Sequence, residues 1–315
     1  MNTQLLDKFK GCLIGAAIGD AMGAPTEFLS LEAIQRAWGF LDDLVEWGRH
    51  EAGTWTDDTE MMVKLAEALV DAPNLLDKQV VADRICEAWR QWKKEYDPSR
   101  APGNSCLGGA GRLVAGAHWT ESGKPNGNGC GAVMRVAPVG LVFANHPEML
   151  AWTAHMQGFA THQGERTNAS AVAVAFLVGR LLLGDDWDSA LDALDDAMPQ
   201  DSPAREYFYG ACDQSTPLAK KLDAYRGWDG GEAFGAALAC ALEYHDDFGQ
   251  AVSHAINSPG DSDSLGCICG AMLGAKLGLA GIPAHWVDRV EAKDELVELA
   301  EGLYRCYVGL NGEDA

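Results

Sequence analysis

The stretch Gly260–Gly278, which reads GDSDSLGCICGAMLGAKLG, decides the fold of this 315-residue chain. Two aspartates, Asp261 and Asp263, stand in a tight turn and are followed by Ser264 and a long apolar run. A serine at the start of an apolar run is typical of a helix N-cap, so a helix is predicted from about residue 264 to 280. The two carboxylates should lie at its N-terminal end. In isolation, such a pair of acids would be interpreted only as turn and capping residues.

Glycine recurs at every fourth position of this run, and a segment near the N-terminus has the same spacing. The two sets are Gly266, Gly270, Gly274, Gly278 and Gly11, Gly15, Gly19, Gly23. Such spacing places the glycines of each helix on one face, and an interior helical glycine costs about 1 kcal/mol relative to alanine. We therefore predict that the two helices pack closely through these faces. That packing would bring Asp20 and Glu27 within reach of Asp261 and Asp263.

Composition excludes several classes of partner. The formal net charge is -22, from 24 basic and 46 acidic residues, which argues against nonspecific binding to nucleic acid or to anionic lipid. Nine cysteines are scattered through apolar segments without a Cys-x-x-Cys pair, which is typical of reduced thiols in a cytoplasmic protein. No signal-peptide segment is evident, and no apolar run reaches the roughly 18 residues of a membrane span.

Apolar residues recur at helical spacing through most of the chain, and strand patterns are nearly absent. Helices are predicted at 4–23, 77–94, 147–160, 165–183, 187–197, 204–213, 231–244, 247–257, 264–280 and 293–307, with two more beginning near residues 57 and 105. Pro138 is expected to end or kink a helical turn. The sequence predicts an all-α fold of about a dozen or more helices in one domain, residues 1–315, with the oligomeric state open.

A second acidic segment has the same design as the first. Thr56, Asp57 and Asp58 open an amphipathic helix, just after a glycine that lets the chain turn. If the two segments face each other, four carboxylates converge, and like charges in one buried site need protons or cations. All these donors are hard oxygens, which favours Mg²⁺ or Mn²⁺ over Zn²⁺. Two metal ions that share a carboxylate would fit this ligand set.

Two further segments are candidates for substrate binding. The loop Gly127–Gly131 precedes a helix, and its successive N–H groups could form a nest for phosphate, although a plain turn has the same composition. His162 precedes another helix and could contact a phosphate or ribose; a capping or core histidine is the alternative. The other seven histidines have no ligand-like spacing.

These segments together resemble the ADP-ribosylglycohydrolase family, which includes the dinitrogenase-reductase-activating glycohydrolases. The resemblance spans about residues 8–280 and rests on the following motifs: GCLIGAAIGDAMGAPTE, GTWTDDTEMMV, PGNSCL, NGNGCGAVMRVAPVGL, THQGERTNASAVAVAFLVGRLL and NSPGDSDSLGCICGAMLGAKLG. It implies a compact orthogonal multi-helix bundle with two Mg²⁺ or Mn²⁺ ions. The implied activity removes ADP-ribose from a modified protein or from a small ADP-ribose conjugate.

Matched by position, the resemblance implies a role for each motif. The implied metal ligands are Thr56, Asp57, Asp58, Asp261, Asp263 and Ser264, with Asp263 bridging. The implied catalytic residues are Glu27, a candidate acid or base that closes over the metals, with Asp58 and Asp263. The implied substrate-binding residues are Asn104, Asn126, Gly127, Asn128, Gly129 and His162.

Two positions depart from the family pattern. Ser264 stands where threonine is usual, and it keeps the hydroxyl. Ala101 stands where the arginine-deprotecting bacterial members carry an acid, three residues before Asn104, and this puts arginine specificity in doubt.

Two alternatives remain open at this point. A catalytically silent ADP-ribose-binding or structural member, similar to the lens-crystallin relatives of this family, would share the fold. A Mg²⁺-dependent diphosphate enzyme of the isoprenoid-synthase kind would require acids one helical turn apart, and the sequence after Asp58 does not supply them.

Overall fold

The computed structural model describes residues 2–312; Met1 and residues 313–315 of the predicted domain lie outside the described residues. Within residues 2–312 the regular secondary structure is helical, without a strand. The α-helices, numbered in chain order, are α1 Thr3–Gly23, α2 Leu31–Trp38, α3 Asp57–Val70, α4 Lys78–Glu95, α5 Asn104–Val114, α6 Trp119–Ser122, α7 Ala137–Val142, α8 Pro147–Phe159, α9 Glu165–Leu183, α10 Trp187–Ala197, α11 Arg205–Cys212, α12 Leu218–Ala224, α13 Gly230–Glu243, α14 Phe248–Ile256, α15 Ser262–Leu277, α16 Ala284–Val287 and α17 Lys293–Asn311.

The all-α prediction is confirmed, and the long helices lie within a few residues of their predicted bounds. Four short helices, α2, α6, α12 and α16, were not predicted, because four to eight residues are too few to establish a helical period. The expectation for Pro138 was wrong. Pro138 lies in the first turn of α7, where its missing N–H has no intrahelical partner to lose.

The glycine faces of α1 and α15 pack directly on each other, as predicted. A Cβ atom added to Gly266, Gly270 or Gly274 would collide with a carbonyl group of α1, and those carbonyls belong to Gly19, Gly15 and Gly11 respectively. The two backbones are therefore too close for any side chain between them. This contact accounts for the repeated interior glycines, which would otherwise only weaken both helices.

Helix α15 is the centre of the molecule, since α1, α9, α13 and α14 all pack on it. Every residue from Ser262 to Ala275 is buried. The N-terminal end of α15 consequently lies inside the protein and not at its surface. Any polar group at that end must find partners among its neighbours, since water has little access.

The prediction that Ser264 is the N-cap of this helix was wrong. Helix α15 begins at Ser262, and Asp261 is the residue before it. Gly260 has a φ of 118°, which turns the chain sharply, and the Asp261 N–H donates to the carbonyl of Arg226 at 2.8 Å. The helix therefore starts two residues early, and the Ser264 hydroxyl is free to bond elsewhere.

The nine cysteines are all free thiols, as expected for a reduced protein. None of the helices between residues 2 and 312 combines the length and the apolar character that a bilayer span requires.

Candidate metal centre and substrate cavity

The N-terminal ends of α3 and α15 open into one cavity of about 300 Å³. Its acidic wall consists of the carboxylates of Glu27, Asp57, Asp58, Asp261 and Asp263. The four aspartates are each 5% exposed or less. Carboxylates at a helix N-terminus are stabilised by the helix dipole, but five of them around one cavity exceed what two helix ends require.

The predicted meeting of the two acidic segments is confirmed. The Ser264 hydroxyl at the start of α15 donates to Asp58 Oδ2 at the start of α3, at 2.8 Å. On the other side, carboxylate oxygens of Glu27, Asp261 and Asp263 all lie within 4.8 Å of one another, a spacing that suits a shared cation. The site thus joins three separate parts of the chain.

Asp20 builds the α3 side of the site without lining the cavity. Its carboxylate accepts hydrogen bonds from the backbone N–H groups of Thr56 and Thr59, both at 2.9 Å, and from the Thr59 hydroxyl at 2.5 Å. The Thr56 hydroxyl in turn accepts from the Asp58 N–H at 3.3 Å. Because Asp20 belongs to α1, the helix that carries the glycine face also fixes the direction of Asp57 and Asp58.

Glu27 is held over the acids by the turn that follows α1. The Thr26 hydroxyl lies 2.9 Å from the Ser262 hydroxyl, and the Phe28 N–H donates to the Gly260 carbonyl at 2.5 Å. Phe28 has a φ of 55°, a left-handed conformation that is rare for an aromatic residue. This short segment is therefore attached to the first residue of α15 and to the loop before it, by one contact on either side of Glu27.

Burial controls the electrostatics of the acidic wall. It raises the pKa values of Asp57, Asp58 and Asp263 well above their usual range, and neighbouring carboxylates raise them further. The pKa of Glu27 rises to about 8 for the same two reasons, burial first and then the charges of Asp261 and Asp20. Without a cation, Glu27 therefore keeps its proton near neutral pH, and the three aspartates ionise less readily than exposed ones.

The opposite wall carries hydrogen-bond donors. Asn104, the first residue of α5, and His162 line it, together with Gly129. Their contacts with substrate stay predictions. Of the predicted phosphate loop, Gly129 contributes to the cavity wall and is followed there by Cys130 and Gly131.

The other three loop residues lie next to this wall. Asn126 has a φ of 53° and is exposed, and Gly127 is buried. The Asn128 side chain is directed at the start of α9, where its Oδ1 atom is 3.5 Å from the Thr167 N–H. These placements leave the predicted substrate contacts of Asn126, Gly127 and Asn128 as predictions.

The sequence analysis assigned no individual role to several cavity residues, among them Cys130, Phe28 and Trp228. The Cys130 thiol donates to Asp261 Oδ2 at 3.1 Å, which adds a sulfur atom to a site predicted to hold only oxygen. Phe28 and Trp228 are exposed by 55% and 65%, and their rings lie 5.7 Å apart at the rim. Cys130 was detectable as a member of the glycine loop, whereas no local sequence feature indicates Trp228.

Ala101 also lines the cavity, with a φ of 57°. The neighbouring Gly103 N–H donates to Asp57 Oδ2 at 3.3 Å. The loop before α5 is therefore attached to the acidic wall, and the side chain at position 101 faces the space beside it.

Fold and site together define an all-α protein with a buried acidic centre of the kind that binds divalent cations through oxygen ligands. The sequence model of the family described as ADP-ribosylglycohydrolase matches residues 1–311. The chain belongs to this family, and it is a hydrolase of the glycosidase type.

Individual relatives agree with this assignment. The chain is 32% identical to an uncharacterized protein of Archaeoglobus fulgidus, over 96% of this chain and 97% of that protein. It is 28% identical to a protein of Serratia proteamaculans named ADP-ribosylarginine hydrolase, over 96% of this chain and 80% of the relative. A solved structure described as an ADP-ribosylglycohydrolase-related protein complex matches with a TM-score of 0.79 and 27% identity, over 97% of this chain and 99% of the other.

Proposed function

We propose that this protein hydrolyses the glycosidic bond between ADP-ribose and an acceptor, with two Mg²⁺ or Mn²⁺ ions held by the acidic wall. The observation that carries this proposal is the meeting of the two acidic helix ends through Ser264 and Asp58, 2.8 Å apart. A family relationship alone gives a fold and a chemical class, whereas this contact gathers the donors around one cavity.

The residues present fit such a metal pair. The proposed ligands are those of the two helix ends: Thr56, Asp57, Asp58, Asp261, Asp263 and Ser264. The raised pKa values of Asp57, Asp58 and Asp263 support this role, because a cation would stabilise the charged carboxylates that burial and neighbouring charges disfavour. When bound, the ions would supply Lewis acidity and would orient the ribose hydroxyls and a water molecule.

Three of the carboxylates, those of Glu27, Asp58 and Asp263, take part in the reaction itself. Glu27, held at the ends of its turn by Thr26 and Phe28, accepts a proton from the water that attacks the anomeric carbon. The bond from that carbon to the acceptor breaks at the same time, and the proton on Glu27 passes to the departing acceptor atom. Asp58 and Asp263 hold negative charge close to the sugar ring, where an oxocarbenium-like transition state develops positive charge. Burial strengthens this electrostatic effect, because little water is present to screen it.

The donor wall is proposed to hold the rest of the substrate. Asn104 and His162 contact the nucleotide sugar, and the loop of Asn126, Gly127, Asn128 and Gly129 contacts the diphosphate with backbone N–H groups. The acceptor is an ADP-ribosylated protein or a small ADP-ribose conjugate. Ala101, a neutral residue beside the cavity, argues against arginine as the preferred acceptor.

We also propose that residues 1–315 form a single domain and that the protein is cytoplasmic. The burial of α15 among helices from both halves of the chain supports the single domain. Nine free thiols support the cytoplasmic location.

The test is a turnover assay on a panel of ADP-ribosylated substrates with Mg²⁺, with Mn²⁺ and with a chelator. We expect metal-dependent release of ADP-ribose from at least one substrate, and its loss in Asp57→Asn and Asp263→Asn variants that remain helical. Asp192→Asn serves as the matched control, because Asp192 is an exposed aspartate of α10 and does not line the cavity. Unchanged turnover in both site variants would exclude the two-metal mechanism.

A further inference from the structure

Arg135 is a cation in the core that has no anionic partner at hydrogen-bond distance within residues 2–312. It is fully buried, and its guanidinium lies 4.3 Å from the centre of the Trp89 ring. Its N–H groups donate to the side chain and carbonyl of Gln157, to the Thr161 hydroxyl, and to the sulfur atoms of Met61 and Cys106. None of these groups is negatively charged, since burial raises the pKa of Cys106 to about 12. A buried charge of this kind is costly, which suggests a function beyond packing.

The guanidinium determines what the Thr161 hydroxyl can do. Arginine has no acceptor, so the 2.8 Å contact between Arg135 Nη2 and Thr161 Oγ1 uses a lone pair of the hydroxyl. The hydroxyl hydrogen then has two candidate acceptors, the Gly158 carbonyl at 3.2 Å and His162 Nδ1 at 2.8 Å. The Gly158 carbonyl already accepts the N–H groups of Thr161 and His162, at 2.9 and 2.8 Å, which fills both of its lone pairs. The hydroxyl therefore donates to Nδ1.

This donation fixes the state of the His162 ring. An Nδ1 atom that accepts a hydrogen bond carries no hydrogen, so the hydrogen of the neutral ring is on Nε2. Nε2 has no hydrogen-bond partner among residues 2–312, and it lies beside Gly129 and Gly131 in the cavity wall. Burial, with the charges of Arg135 and Lys124, lowers the pKa of His162 to about 3.

We propose that Arg135 and Thr161 are positioning residues that keep His162 neutral with its hydrogen on Nε2, so that His162 donates one hydrogen bond to a substrate oxygen and transfers no proton. The identity of that substrate as an ADP-ribosyl compound rests on the proposed function above. The arrangement of the Arg135, Thr161 and His162 side chains does not depend on the proposed function. General acid–base work is thereby left to the carboxylates across the cavity.

The direct test is ¹⁵N NMR of the histidine-labelled full chain with Mg²⁺, with His162 assigned by comparison with His162→Gln. We expect a neutral ring with a protonated Nε2 from pH 5 to 8. A ring that carries its hydrogen on Nδ1, or that is doubly protonated at pH 7, would overturn the proposal. The ¹⁵N spectrum can be measured whether or not the protein is enzymatically active.

A matched pair of variants tests the positioning function. Thr161→Ser retains the hydroxyl and should preserve both the ¹⁵N spectrum and the affinity for ADP-ribose. Thr161→Val retains the shape without the hydroxyl; we expect an Nδ1-protonated fraction to appear and the affinity to fall about tenfold. Equal affinity in Thr161→Val and the unmodified protein would refute the positioning function. Failure of all three proteins to bind ADP-ribose would instead contradict the proposed function, while the spectra still report the tautomer.

Discussion

Ser264 and Asp58 are 206 residues apart in sequence, and the hydroxyl of one donates to the carboxylate of the other at 2.8 Å. The contact joins the starts of α15 and α3 across the cavity. It depends on α1, which packs its glycine face on α15 and reaches α3 through Asp20. The geometry of the acidic wall therefore depends on a helix that contributes no carboxylate of its own to that wall.

The glycine contact should be the most sensitive part of the core. In Gly270→Ala the new Cβ would collide with the Gly15 carbonyl, and neither backbone can move without separating α1 from α15. We expect a loss of about 3 kcal/mol or more in the free energy of unfolding, measured by chemical denaturation. The matched control is Gly309→Ala in α17, where the added Cβ meets nothing within 4 Å. It should be neutral or stabilising by up to about 1 kcal/mol. Equal effects of the two changes would contradict the close helix contact.

Asp20 should be required in its charged form. In Asp20→Asn one carboxylate oxygen becomes an NH₂ group, which cannot accept from the N–H groups of Thr56 or Thr59. We expect a loss of about 1–3 kcal/mol in stability from the unpaired buried donors, and weaker Mg²⁺ binding by calorimetry. Asp77→Asn is the control, because Asp77 is an exposed residue that caps α4, and asparagine caps a helix equally well. An Asp20→Asn variant with unchanged stability and unchanged Mg²⁺ binding would show that α3 is fixed by other contacts.

The metal-free protein should lose stability as pH rises from 6.5 to 8. In the folded protein Glu27 keeps its proton up to a pKa of about 8, compared with 4.5 for an unperturbed glutamate. The folded state thus binds more protons than the unfolded state in this range, so its stability falls with increasing pH. His162 acts in the opposite sense, but only below its unperturbed pKa of 6.5, where the unfolded ring is protonated.

Mg²⁺ should reverse this trend, because the cation replaces protons that the carboxylates release. We expect the rise in melting temperature caused by Mg²⁺ to be larger at pH 8 than at pH 6. Thermal unfolding in chelator and in Mg²⁺ across this range measures both effects. A stabilisation that does not change with pH would place the cation away from Glu27 and the aspartates.

Acceptor preference should respond to the residue at position 101. Ala101 has a left-handed backbone that aspartate tolerates, and it lines the cavity beside Asp57. In Ala101→Asp a carboxylate would be available to pair with a guanidinium, so we expect the relative rate on ADP-ribosylarginine to rise about tenfold or more. Ala101→Asn, with the same shape and no charge, should leave the preference unchanged. If the relative rate on ADP-ribosylarginine rose equally in both variants, the shape of the side chain and not its charge would be the cause.

Much of this architecture was predictable because its determinants are local. Helical periodicity located α8, α9 and α10 almost residue by residue, and the four-residue glycine spacing predicted the contact between α1 and α15. The spacing is informative because few other arrangements give a reason for so many interior glycines. The two acidic segments were likewise recognisable, each as an excess of carboxylates over what a helix cap needs.

Other parts of the site depend on contacts between distant segments. The Cys130 thiol beside Asp261, and Arg135 behind Thr161 and His162, leave no periodic or compositional mark. The start of α15 was misplaced for the same reason, since the turn at Gly260 is held by the distant residues Phe28 and Arg226.

The sequence by itself determined the helical class, the glycine faces and the identity of the acids, because backbone hydrogen bonding and side-chain periodicity act over a few residues. Only the tertiary structure decided which oxygen atoms meet, which loop residues form the cavity wall and how Thr161 directs its hydrogen. Those outcomes depend on how α1 crosses α15 and on where the loops return, and neither is encoded in any single stretch of the chain.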